Sequence, residues 1–223
     1  MNATWRFRLL AWLILAFVGC VSISNLAAEF LRPSLPMLPT TGKPALPDQV
    51  SAARLASAIA PFRSDLRADY AVALASQAFN SGSTAGSRGE ETTRAAKEAV
   101  RGALEIGPHD SRLWLVLAWL QARGNRVEPL AAESLKMSYL TGPNRADLVP
   151  ARLGSAISTN YLNDPDLRDL ARADVRAILT KLPEQRSTLL NDYARASETG
   201  KLFLQDSVKT IDPKFADALR SKK

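Results

Sequence analysis

The sequence predicts an all-α protein with one N-terminal transmembrane helix followed by an antiparallel stack of helices. The first observation is an apolar run without any charge at residues 9–28. From residue 51 onward, alanine, leucine and arginine dominate and apolar residues recur at spacings of three and four, as on one face of a helix. Proline, glycine and asparagine turn signals cut this pattern into short helices, which must stack side by side to bury their faces.

The apolar run is long enough for one bilayer crossing, because twenty helical residues span about 30 Å. Charged residues flank it on both sides, Arg6 and Arg8 before it and Glu29 and Arg32 after it. Positive charge on a short N-terminal tail favours a cytoplasmic tail. We therefore expect a cytoplasmic tail at 1–8, an anchor at 9–31 in a bacterial inner membrane, and the rest of the chain in the periplasm.

Two other fates of this segment stay open. A charged start followed by an apolar stretch is also typical of a secretory signal peptide, with Asn25-Leu26-Ala27-Ala28 before the cleavage site. The run Phe17-Val18-Gly19-Cys20 resembles a bacterial lipobox, which would place a lipid on Cys20. Whether the segment is retained, cleaved or lipidated, we expect the rest of the chain to be exported.

Residues 32–50 form a proline-rich linker, with five prolines between Pro33 and Pro47. Prolines at this density exclude a helix and a central strand. In polyproline II geometry residues 33–47 would reach about 45 Å and hold the body clear of the lipid. The alternative is a disordered tether without a spacing role.

Residues 51–223 form the helical body. The pairs Asp164-Pro165 and Asp212-Pro213 predict helix starts, because aspartate accepts bonds from free amides and proline suits the first helical position. The remaining boundaries are predicted at Pro61, residues 80–89, Gly107-Pro108, Gly124-Asn125, Gly142-Pro143 and Pro183.

A repeat of 35 residues is the most specific signal in the chain: Ala96, Val100, Ala103 and Pro108 are followed by Ala131, Leu135, Ser138 and Pro143. Between the two sets lies the run Trp114-Leu115-Val116-Leu117-Ala118. Over residues 91–143 these patterns resemble the tetratricopeptide repeat (TPR). The sequence departs from the family signature, with Gln121 in place of tyrosine and Ala118 in place of glycine. The alternative is an unrelated helical bundle in which alanine and proline recur by chance.

The resemblance implies a binding groove lined by the first helix of the repeat. The family's groove positions fall on Arg112, Leu115, Trp119 and Arg123. Arginine binds carboxylates and tryptophan supplies contact area, so this groove would suit an acidic or C-terminal peptide segment. The alternative is that Trp114 and Trp119 pack between helices and the arginines are only solvated.

No catalytic, metal or cofactor site is predicted. The single cysteine excludes an intrachain disulfide, and the single histidine, His109, lacks the partners that a metal site or a catalytic base needs. The close acidic pairs are Glu90 with Glu91, beside a glycine- and serine-rich stretch, and Asp164 with Asp166, at a helix cap. The net charge of +7 is scattered along the chain, which does not favour nucleic acid.

We expect a scaffold or adaptor for other envelope proteins and not an enzyme. By resemblance, short anchored TPR-like proteins look like accessory factors of envelope or exopolysaccharide assembly. Two alternatives stay open: an exported helical enzyme that acts on glycan, and a purely structural protein that self-associates as a homo-oligomer through its helical face.

Overall fold

The fold was analysed in a computed structural model that describes residues 3–39, 42–81, 87–123 and 129–220. Within those ranges the chain forms eleven α-helices and two short 3-10 helices, and no strand. The all-α prediction is therefore confirmed. The helices divide into two compact units, one up to residue 108 and one from residue 109 onward.

The first unit contains four helices. They are α1 (Ala3–Leu31), α2 (Pro47–Ile59), α3 (Ser64–Asn80) and α4 (Ser87–Ile106). Helix α2 packs on both α1 and α3, and α3 and α4 form a helical hairpin.

The second unit contains seven helices. They are α5 (Ser111–Ala122), α6 (Pro129–Thr141), α7 (Val149–Ser158), α8 (Pro165–Thr180), α9 (Arg186–Arg195), α10 (Glu198–Ile211) and α11 (Pro213–Arg220). Helices α5 and α6 form a second hairpin, and α7 packs on α8, α9 and α10.

Helix α1 is long and apolar enough to cross a membrane over Phe7–Leu31, as predicted. Two of its polar side chains bond within the helix. Ser24 Oγ donates to the Cys20 carbonyl at 2.8 Å, and Asn25 Nδ2 donates to the Val21 carbonyl at 2.9 Å. Because these bonds lie within the helix, both side chains are compatible with a lipid environment.

The proline-rich segment packs against the body, which corrects the expected spacer. The Ala45 amide donates to Ser76 Oγ of α3 at 3.1 Å, and the Gly42 amide donates to Asn80 Oδ1 at 2.6 Å. Ala45 is buried in a small cluster with Ala53 of α2. The described residues between Arg32 and Leu46 are non-helical as expected, but polar side chains of α3 bind the backbone of this segment, and α2 already begins at Pro47.

The end of α1 is part of the core of the first unit. Ala28 is completely buried and packs with Ala56, Ala60 and Leu66 of α2, the following turn and α3. Three of these four side chains are alanine, so the backbones can approach closely. Helices α2 and α3 of the first unit are therefore joined directly to the last turn of α1.

The predicted helix starts are confirmed in the second unit. Asp164 Oδ1 accepts bonds from the amides of Asp166 and Leu167 at the start of α8. Asp212 Oδ1 accepts a bond from the Phe215 amide at the start of α11. Both carboxylates satisfy amides that have no partner within their helix.

The 35-residue period reappears in the packing. Helix α4 ends at Ile106 and α6 ends at Thr141. The repeated positions are buried in both helices: Ala96, Val100, Ala103, Ala131, Leu135 and Ser138. The predicted turn at Gly124-Asn125 lies outside the described residues, as does part of the predicted loop at 80–89. Two hairpins with matching buried positions fit a repeat and a helical bundle equally, so the TPR resemblance stays a prediction.

Candidate partner-binding site

Helix α5 carries the residues at which the TPR resemblance places a binding groove. Leu115 has no exposed surface, and its contact with a partner stays a prediction. Trp119 is partly buried, and its Nε1 donates to Ser155 Oγ of α7 at 2.6 Å. Arg112 pairs with Asp110, the N-cap of its own helix, at 3.4 Å. Arg123 follows the end of α5 and is partly exposed. A binding role for Arg112, Trp119 and Arg123 stays a prediction.

Exposure differs around α5. Arg112, Trp119 and Arg123 are all partly exposed and, at spacings of seven and four residues, lie on one face of the helix. The buried positions occupy most of the rest of the helix. These positions are Ser111, Leu113, Leu115, Val116, Leu117, Ala118, Leu120 and Gln121.

The close acidic pairs lie near the starts of α8 and α4 in the described structure. Asp164 and Asp166 both bind Lys136 Nζ, at 3.3 Å and 2.6 Å. Glu90 and Glu91 are exposed near the start of α4. His109 is exposed in the turn before α5. Among the described residues, no group of three or more histidine, cysteine, aspartate or glutamate side chains could hold a metal ion.

A cleft in the second unit is a further candidate for a binding site. It has a volume of about 480 Å³ and lies between the α6–α7 loop and the C-terminal half of α8. Pro143 and Val149 form part of one wall and Ala177 part of the other. Arg176 and Lys181 line it and are exposed, whereas Asp174 lines it and is buried. The cleft thus combines apolar walls with two accessible cations.

Beneath this cleft lies a buried ion pair that the sequence analysis missed. Arg152 has no exposed surface, and its Nη2 approaches Asp174 Oδ1 at 3.5 Å. Its Nη1 donates to the Gly142 carbonyl at 2.8 Å and to the Ser138 carbonyl at 3.3 Å. The guanidinium lies 4.6 Å from the ring centre of Tyr139. In sequence, Arg152 looks like one more surface arginine, because its partners lie 10 to 22 residues away.

Burial dominates the electrostatics of this pair. Removal from water raises the pKa of Asp174 to about 6, although Arg152 and the Tyr139 hydroxyl act in the opposite direction. Burial, and then the Asp174 charge, raise the pKa of Tyr139 well above its usual value. The carboxylate therefore titrates in a range where most surface aspartates are already fully ionised.

Replacing Asp174 with asparagine is expected to change the pH dependence of stability. The pKa of Asp174 is about 6 in the folded chain, against 3.8 for an ordinary aspartate. The folded state therefore binds more protons than the unfolded state, and stability falls as pH rises from about 4 to about 6. The variant lacks this decline, so its free energy of unfolding gains on the order of 2 kcal/mol relative to wild type over that range. Urea unfolding followed by circular dichroism at several pH values measures the difference.

The matched control is Asp147→Asn. Arg145 holds the pKa of Asp147 below its usual value, so this carboxylate stabilises the fold when it is ionised. Its contribution is lost only as pH falls below about 4. A constant difference between Asp174→Asn and wild type from pH 4 to 7 would show that Asp174 is already ionised at pH 4.

A second charged cluster surrounds the end of α1. Arg32 Nε binds Asp69 Oδ2 at 2.8 Å, and Arg63 Nη1 binds Glu29 Oε2 at 2.9 Å. Asp65 pairs with both arginines. A hydrogen bond from Arg63 lowers the pKa of Asp65. The spacing of Asp65 and Asp69, one helical turn apart, was the only sequence signal for this cluster.

No protein-family model, curated protein or solved structure matches this chain. The TPR resemblance therefore rests on the residues of 91–143 alone. Any conclusion about function depends on the geometry of the chain itself.

Proposed function

We propose that the protein is a single-pass adaptor of a bacterial inner membrane, with its helical body in the periplasm, where it binds other envelope proteins. The observation that carries this proposal is the direct joint between α1 and the body. Ala28 is buried among α2 and α3 residues, and Glu29 and Arg32 pair with side chains of the same helices. A first unit joined in this way is held in a fixed orientation at the membrane surface.

The same joint supports retention of the anchor. Cleavage after Ala28 would remove a fully buried side chain from the core of the first unit. Leu31, which packs against the same cluster, would then lie at a free chain end. Of the three fates of the N-terminal segment, the retained helix is the one that keeps this packing intact.

The cleft in the second unit is the proposed partner site, and the α5 positions stay a separate prediction. Arg176 and Lys181 offer charge-assisted bonds to carboxylates, and Val149 and Ala177 offer apolar contact. An acidic segment or a C-terminal carboxylate of another protein fits this chemistry. Participation in envelope or exopolysaccharide assembly is part of the proposal, and the family resemblance alone suggests it.

A topology reporter tests the first part of the proposal. Alkaline phosphatase fused after Lys223 is expected to be active in intact cells, because it folds only after export. A cytoplasmic fluorescent protein at the same position is expected to stay dark when it is exported by the Sec pathway. The opposite pattern would place the body in the cytosol and overturn the periplasmic assignment.

Charge reversal in the cleft tests the second part. In cells treated with a crosslinker, the pair Arg176→Glu and Lys181→Glu is expected to lose a partner that the wild-type chain captures. The control pair is Arg168→Glu and Lys209→Glu, which makes the same change in net charge at exposed positions outside the cleft lining. Equal loss with both pairs would mean that overall charge and not the cleft binds the partner. Capture of the chain's own copies alone, or glycan turnover by the purified protein, would replace the adaptor with one of its two rivals.

A further inference from the structure

The turn between α2 and α3, residues 60–63, lies beside α1 and not beyond its end. A pocket of about 280 Å³ separates the turn from α1. On the α1 side it is lined by Val21, Ser24 and Asn25, and on the other side by residues 59–63. The apolar run of α1 extends to Ala28, and at 1.5 Å per residue Val21 lies about 10 Å before that point. If the apolar run crosses the bilayer, the turn lies at the depth of the outer hydrocarbon.

The tip of this turn is apolar and unusually exposed. Phe62 has 93% of its surface exposed, more than any other large apolar side chain in the described residues. Pro61 beside it is also exposed. On α1, Phe17 and Ile23 are each 70% exposed. Contact with lipid explains this exposure if α1 spans the bilayer. Phe62 continues that lipid-facing surface onto a second element.

Several polar groups of the turn have partners inside the chain. Pro61 has no amide hydrogen, and its carbonyl accepts a bond from Arg67 Nε at 3.1 Å. The Ala60 carbonyl accepts a bond from the Arg63 amide at 3.1 Å. The Arg63 guanidinium pairs with Glu29 and Asp65. These bonds reduce the number of polar groups that would enter the edge of the hydrocarbon without a partner.

We propose that the α2–α3 turn is a second membrane contact, with Phe62 among the phospholipid acyl chains of the leaflet that holds the C-terminal end of α1. An acyl chain fills the pocket between the turn and α1, and the ion-paired Arg63 lies at the level of the headgroups. Aromatic and apolar side chains on otherwise polar elements bind membrane interfaces at this depth. The proposal rests on the proposed anchor, because the turn reaches lipid only if α1 spans the bilayer.

Depth-dependent fluorescence quenching in phosphatidylcholine vesicles tests the turn and the anchor separately. Cys20 is the only cysteine and is exposed on α1, so a polarity-sensitive dye on the wild-type chain reports on the anchor. A Cys20→Ser and Phe62→Cys variant carries the dye on the turn. A Cys20→Ser and Leu46→Cys variant carries it at the opposite end of α2, about 20 Å along the helix axis. Leu46 is 60% exposed, so labels at 46 and 62 disturb little packing.

The dyes at 20 and 62 are expected to emit at shorter wavelength and to lose fluorescence when the lipids carry nitroxides. The dye at 62 is expected to respond more to nitroxides near the headgroup than to those near the end of the acyl chain. Quenching at 20 with none at 62 beyond that at 46 would overturn the second contact and leave the anchor in place. A water-like signal at 20 would overturn the anchor, and the turn proposal with it. A dye at 62 that is shielded in cells but not in vesicles would mean that a protein covers the turn.

Discussion

Replacing Arg152 with methionine is expected to lower the free energy of unfolding by about 3–5 kcal/mol, because it leaves a buried carboxylate without a counter-charge. Arg152 is fully buried, and it also donates to the carbonyls of Ser138 and Gly142. The loss is expected to be larger at pH 8 than at pH 5, since protonation of Asp174 removes the unpaired charge. Urea unfolding followed by circular dichroism at both pH values measures it.

Two further variants show whether the ion pair is the cause. Arg145→Met breaks the surface pair with Asp147, whose side chains are 43% and 41% exposed, and is expected to cost less than about 1 kcal/mol. Combining Arg152→Met with Asp174→Leu removes both charges and is expected to recover much of the loss. If Arg152→Met alone stays within about 1 kcal/mol of wild type, water reaches the pair and the site is not the desolvated one described.

The helix boundaries could be predicted from the sequence because their causes are local. Asp164 and Asp212 bind amides two or three residues ahead of them, and the proline that follows each one fits the first helical turn. The apolar run of α1 needs only its length and composition to indicate a possible membrane span. For the two aspartates, the amide that each one caps lies within one helical turn, and for α1 the residues of the run alone decide.

The packing of the proline-rich segment and the burial of Leu115 could not be predicted, because both depend on residues that lie far away in sequence. The segment is held to the body by Ser76 and Asn80, which follow their partners Ala45 and Gly42 by 31 and 38 residues. Leu115 fits the family's groove position by spacing, yet its exposure depends on which helices cover α5. Local patterns fix which residues are helical, and long-range packing decides which faces stay open.

The buried arginine illustrates the same limit for the candidate cleft. Arg152 and Asp174 lie on different helices, α7 and α8, and neither has a neighbour in sequence that marks it as buried. Their pairing fixes the α6–α7 loop against α7 through the Gly142 carbonyl, and this loop forms one side of the cleft. The stability of the pair and the shape of the proposed partner site therefore depend on the same contacts.

Replacing Gly200 with alanine is expected to destabilise the second unit by about 3 kcal/mol or more. A Cβ at this position would collide with the backbone carbonyl of Ile157 at the end of α7. The start of α10 is fixed there, because the Ser197 amide and Ser197 Oγ both donate to the same carbonyl at 2.9 Å. To make room for a methyl group, α10 must move away from α7 and weaken both bonds.

Gly102→Ala is the matched control, since it makes the same chemical change inside helix α4. Among the described residues, no atom outside the neighbouring backbone of α4 lies within 4 Å of a Cβ built at Gly102, so no neighbour has to move. Alanine restricts the unfolded chain and favours the helix, and a gain of about 0.5–1 kcal/mol is expected. Opposite signs for the two variants in thermal unfolding support the close contact between α7 and α10. A gain in both would mean that α10 can shift at no cost and that its start is not fixed by Ile157.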